Sequence, residues 1–113
     1  MITNIVVVRF KGRHCWPGGP PHLARMHDHI FKVVVEVRVE AGRQIDFLQL
    51  RDQVREWLQR TFPDGDLDGI SCESLAFMIG DMLRHEYGHN VLRVEVWEDE
   101  ENAGAAVYFG GRS

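Results

Sequence analysis

The chain has 113 residues, 44% of them hydrophobic and 27% charged, which suits one globular domain whose modest core would gain from burial against other subunits. A formal charge of −4, from 13 basic and 17 acidic side chains, gives no broad electropositive footprint, so a nucleic-acid partner is not expected. With two cysteines (Cys15 and Cys72), no apolar run able to span a bilayer and no signal-peptide pattern at the N-terminus, the expectation is a soluble, cytoplasmic protein with reduced thiols and no membrane partner.

Ile5 to Lys11 is β-branched and reads as a strand. Trp16-Pro17-Gly18-Gly19-Pro20-Pro21 reads as neither helix nor central strand, so a structured loop is predicted there. From Phe31 onward Val33, Val35, Val37 and Val39 alternate with Glu36, Arg38 and Glu40, the period of a half-buried strand. Carried backwards, that parity sets His27 and His29 on the valine face unless a bulge intervenes.

Asp46 precedes Phe47, Leu50, Val54, Trp57 and Leu58, spaced for one helical face, and Gln49 completes a capping-box pattern with it. That helix is predicted to end near Phe62-Pro63-Asp64-Gly65. A second helix is predicted from Ser71, with Glu73 in its first turn, Leu75, Met78, Ile79 and Met82 as its apolar stripe, and Gly88 and Asn90 as its stop. Leu92, Val94 and Val96 alternate with Arg93, Glu95 and Trp97 as a third strand, and Ala103 to Phe109, ending at Gly110-Gly111, makes a fourth. The order strand, strand, helix, helix, strand, strand, without an internal linker, predicts a single α+β domain over residues 1–113: a four-stranded antiparallel sheet with two helices on one face.

Two metal motifs compete. If the first two strands pair, the proline-glycine loop returns His14, at the end of the first strand, to the neighbourhood of His27 and His29. Three imidazoles with an open fourth position would make a catalytic zinc site. His85-Glu86-Tyr87-Gly88-His89 matches the H-E-x-x-H pattern of zinc proteases, but that chemistry needs both histidines on one continuous helix. Gly88 and Asn90 are predicted to end the helix and leave His89 outside it.

These pieces in this order resemble the family of 6-pyruvoyltetrahydropterin and 6-carboxytetrahydropterin synthases, over nearly the whole chain. Phe10-Lys11-Gly12-Arg13-His14 is similar to the family's F-x-x-x-H, His27-Asp28-His29 to its H-G-H, and Asp46-Phe47 to the D-F that opens its first helix. Ser71-Cys72-Glu73-Ser74-Leu75-Ala76 is similar to its P-T-S-E-N-L-A, and Val94-Glu95-Val96-Trp97-Glu98 to its V-x-V-x-E. The resemblance implies the tunnelling fold, with Zn2+ on His14, His27 and His29. It also implies a pterin ring held by Glu98 with Ser71 and Glu73 beside it, and lyase chemistry on dihydroneopterin triphosphate. Trimers that close a barrel and stack as hexamers would place the active sites at subunit boundaries. A carboxylate suits the ring because it accepts an amino group and an adjacent ring N–H side by side.

The chain departs from the family pattern where protons would move. The family's cysteine base stands four residues before H-G-H, and Leu23 holds that position here. The family's L-D-H-x-x-L-N segment between the helices has lost its histidine, and Asp28 replaces the glycine between the metal histidines. Cys15, His22 and Asp28 are the substitute bases on offer, although an extended chain through His14 would turn Cys15 away from the metal. Two readings follow, a variant zinc enzyme of pterin chemistry or a zinc- and pterin-binding homologue without the reaction. The pterin product and the pathway, whether biopterin-like, folate-like or leading to queuosine, stay open.

Overall fold

The computed structural model describes residues 1–109, and the strand stop expected at Gly110-Gly111 lies outside them. Strand β1 (Ile2–His14) and strand β2 (His27–Val39) pair antiparallel along their whole length, from Ile2 opposite Val39 to His14 opposite His27. Between them lies α1 (Pro21–Ala24), one turn started by a proline whose missing N–H is no loss at that position. The predicted loop therefore closes on a short helix.

Helix α2 (Phe47–Thr61) starts at Asp46, whose carboxylate accepts from the Leu48 amide at 2.9 Å, one residue short of the capping-box geometry. Helix α3 (Cys72–Glu86) starts at Ser71, whose hydroxyl accepts from the Ser74 amide at 3.1 Å. Strand β4 (Asn90–Glu98) pairs with β2, and β5 (Asn102–Val107) with β4. The valine parity of β2 holds: Phe31, Val33, Val35 and Val37 are fully buried under Leu50 and Val54 of α2 and Leu75, Ile79 and Leu83 of α3. Each such side chain contributes about 1.5–3 kcal/mol on full burial. α2 packs against β1, and α3 against β4 and β5.

Two expectations need correction. The sheet has five strands in the order β3-β1-β2-β4-β5, because Asp66–Asp68 forms a short β3 parallel to the end of β1. The sheet is therefore mixed and the described residues hold three helices, in place of four antiparallel strands and two helices. Three residues carry no readable period, and what makes them a strand is pairing with Arg13 and His14. In β4 the alternation slips at a register shift opposite Glu36 and Val37, so that Val91 joins Val94 and Val96 in the core and Leu92 lies partly exposed.

Candidate metal centre

Strand periodicity brings three imidazoles together. On β1 the even positions Val6, Val8 and His14 face the helices, and on β2 the odd positions do, so the cross-strand pair His14 and His27, with His29 two residues along, shares the core-facing side at one end of the sheet. Ring centroids are 4.7 Å apart for His14–His27 and His27–His29, and 5.6 Å for His14–His29. Phe31 closes the floor, 5.2 Å from His14 and 5.7 Å from His29 between centroids. The unforeseen β3 anchors the same corner: the Arg13 amide donates to Gly65 O at 2.9 Å and the Cys15 amide to Asp68 O at 2.8 Å.

Each ring is oriented through Nδ1. His14 Nδ1 meets Ile70 O at 3.1 Å, His27 Nδ1 meets Arg25 O at 3.1 Å, and His29 Nδ1 meets the Asp99 carboxylate at 2.5 Å. Carbonyl and carboxylate oxygens only accept, so Nδ1 of His27 and of His29 carries the proton and Nε2 keeps its lone pair for a ligand, while His14 faces an acceptor on each nitrogen. Glu98, at the end of β4, completes the group: one potential ligand atom from each of His14, His27, His29 and Glu98 lies within 4.8 Å of every other. Glu98 Oε1 is 2.5 Å from His14 Nε2 and 3.8 Å from His29 Nε2. With acceptors on both of its nitrogens, His14 needs a second ring proton or a cation between Nε2 and the carboxylate. A set of borderline nitrogen donors with one carboxylate suits zinc.

The group opens into a cleft of about 710 Å³ lined also by Cys15, Trp16, His22, Leu23, Ser71, Cys72 and Glu73. The family model for 6-pyruvoyl tetrahydropterin synthase matches residues 5–109. The chain belongs to this family. Among solved structures, the 6-pyruvoyl tetrahydropterin synthase of Caenorhabditis elegans superposes with a TM-score of 0.60 at 12% identity, covering 95% of each chain. An uncharacterized protein from Wolinella succinogenes gives 0.63 at 14% identity, covering 95% of this chain and 99% of that one. At such identities the likeness is one of fold, and no curated protein matched the sequence.

Measured against the family pattern, the cleft holds most of the expected residues, with changes in how each is presented. Cys15 lines it, because β1 ends at His14 and strand alternation no longer governs the next residue. His22 and Leu23, on α1, line it as well. Asp28 does not: as the even residue of β2 it lies on the other side, in a second cleft with Lys11, Arg13, Asp64 and Asp99 that shares His29 with the first. The Ser71 hydroxyl is engaged in capping α3 and bonds Ser74 Oγ at 3.1 Å, and its carbonyl accepts from the Leu75 amide at 2.9 Å. Glu73 packs against β5, where a side chain at Gly104 would collide with its backbone and carboxylate.

Sequence reasoning passed over two residues. Cys72 lines the cleft, and burial, then Glu98, then Glu73 push its thiol up to about 12, so it is held as the thiol and makes a poor base. Asp99 accepts from His29, and that hydrogen bond, followed by one from the Ile30 amide, holds its carboxyl below the usual range. An acidic residue among Glu98, Glu100 and Glu101 gave no signal of this role.

The second histidine motif assembles nothing. α3 ends at Glu86 and Gly88 takes a positive φ of 69°, so His85 stays in the last helical turn and His89 lies beyond it. His85 is exposed and bridges Asp81 at 3.1 Å, whereas His89 is buried with its Nε2 2.6 Å from Gln53 Oε1. Among the described residues, neither belongs to a group able to hold a metal.

Proposed function

We propose that the chain is a zinc-dependent pterin enzyme, a lyase of the 6-pyruvoyl/6-carboxytetrahydropterin synthase type acting on dihydroneopterin triphosphate or a related pterin. The observation that carries this reading is the convergence of the three rings, each with Nδ1 against an acceptor, on a group in which one ligand atom from each of them and from Glu98 lies within 4.8 Å of the others. Zinc on His14, His27 and His29 would supply Lewis acidity toward an oxygen of the substrate side chain. Glu98 is proposed to accept the paired N–H groups of the pterin ring, with Glu73 and Ser71 beside it. Leu23 takes no proton, which leaves His22 as the candidate base and Cys15 as the alternative. Phe31 and the buried valines behind it keep bulk water from the floor of the cleft.

The exposed apolar residues Ile5, Val7, Ile30 and Val107, on the sheet face away from the helices, support the homo-oligomer that the family implies, a trimer or hexamer. A monodisperse monomer at micromolar concentration in light scattering would contradict it. Nothing in the described residues is a helix long and apolar enough to cross a membrane, in keeping with the proposed cytoplasmic location.

Product analysis after incubation of the zinc-loaded protein with dihydroneopterin triphosphate tests the enzyme reading, and a released triphosphate with a new tetrahydropterin is the expected result. Leu23 at the cysteine position and the missing histidine between the helices favour a second reading, a homologue that binds zinc and pterin without turnover. Tight pterin binding with no product would establish that one instead.

A further inference from the structure

Asp99 stands in the turn between β4 and β5 with a positive φ of 49°, and Glu100 follows at 62°. Such a backbone is costly for residues other than glycine and persists where surrounding bonds hold it. Three bonds do so here. The Asp99 amide donates to Ile30 O at 2.8 Å, the Ile30 amide donates to Asp99 Oδ1 at 2.9 Å, and His29 Nδ1 donates to Asp99 Oδ2 at 2.5 Å. The two amide bonds join the turn to β2, and the second carboxylate oxygen faces the imidazole. At Nδ1, His14 and His27 rest on neutral carbonyls, and His29 is the one ring of the three whose Nδ1 partner carries a full charge.

We propose that Asp99 is a positioning residue: its carboxylate fixes His29 as the Nδ1–H tautomer with Nε2 free for the cleft, and so sets the metal affinity of the site. The affinity half rests on the zinc reading above, and the tautomer half does not. An anionic partner both locks the ring plane and raises the electron donation of the opposite nitrogen, an effect for which outer partners of metal-binding histidines are known. A carbonyl gives the first effect with less of the second. His29 is accordingly the strongest donor of the three.

Asp99→Asn tests this, since asparagine tolerates the left-handed backbone and keeps an oxygen for the Ile30 amide while placing an NH2 group before His29 Nδ1. An NH2 group only donates, so the ring proton should move to Nε2. In long-range 1H–15N spectra of the metal-free protein at mildly alkaline pH, His29 should switch from Nδ1–H to Nε2–H while His14 and His27 keep their tautomers. Zinc affinity, measured by chelator competition, should fall about 10–100-fold. A residue that only shapes the turn would change thermal stability and leave both readouts alone. An unchanged His29 tautomer, or a switch without loss of affinity, overturns the proposal. If the native protein takes up no zinc the functional reading falls, and the spectra still decide the positioning role. Should the variant fail to fold, an Nε2–H tautomer of His29 in the native protein overturns it.

Discussion

Two histidine pairs in this chain match metal-binding spacings, and among the described residues only one of them joins a group able to hold a metal. His27 and His29 lie on a single uninterrupted strand, so a separation of two returns both to one face, and the paired strand supplies His14 opposite. His85 and His89 have the separation of a helical pair, but the helix stops at Glu86, between them. A spacing is chemically meaningful only when one element runs through both ends of it. At the sheet, the backbone geometry was already decided by the valines that follow, whereas at α3 Gly88 ends the regularity that the motif requires.

The largest expected effect breaks that comparison outright. His27→Ala should reduce bound zinc from about one ion per chain to a trace in elemental analysis, since it removes one of the three imidazoles proposed to hold the ion. His85→Ala should leave the content as it was, because that ring bridges Asp81, is 70% exposed and belongs to no metal-capable group among the described residues. Zinc retained in the first variant and lost in the second would invert the assignment.

Turnover comes next. A positioned base contributes roughly 10²–10⁴-fold, and a chain with Leu23 at the cysteine position should be slower than a cysteine-bearing relative by about that factor. Leu23 does line the cleft, so Leu23→Cys should recover part of the difference in product formed per minute. If His22→Ala already abolishes native turnover, α1 has moved the base by one residue; a native rate equal to that of a cysteine-bearing relative means the base lies elsewhere.

Glu98→Ala sharpens the split between metal and pterin. Leaving a donor pair without its acceptor costs on the order of 1–3 kcal/mol, so pterin affinity should weaken about tenfold or more in a titration. Zinc should stay on the three histidines. Loss of zinc with unchanged pterin affinity would make Glu98 a ligand, which its 2.5 Å approach to His14 Nε2 also allows.

What was legible in the sequence is what repeats. The valine period of β2 placed His27 and His29, and the apolar stripes of α2 and α3 located the core above them. What escaped depends on a single residue or on a partner distant in sequence. Strand β3 exists only through its pairing with β1, and the slip at Leu92 exchanges one apolar residue for another without disturbing composition. Cys15 enters the cleft because β1 ends one residue earlier, and Asp99 reaches His29 across 70 residues of chain. Neither has a local signature.

The smallest expected effect concerns the failed pair. His89 is buried between α3 and α2, and burial lowers its pKa below the ordinary 6.5, so the folded state keeps the ring neutral where the unfolded chain would protonate. The sign follows from linkage. Above 6.5 both states are neutral and nothing is lost, and as pH falls below 6.5 the unfolded chain binds a proton that the folded one refuses, so stability declines until the folded value is reached. Urea midpoints of the metal-free protein should therefore drop with acidification through that window. His89→Gln, which keeps an amide N–H for Gln53 and cannot titrate, should flatten part of that decline while leaving zinc content untouched. An identical pH slope in both proteins would mean that His89 is hydrated or protonated in the fold, and would remove the structural role that separates it from the histidines of the cleft.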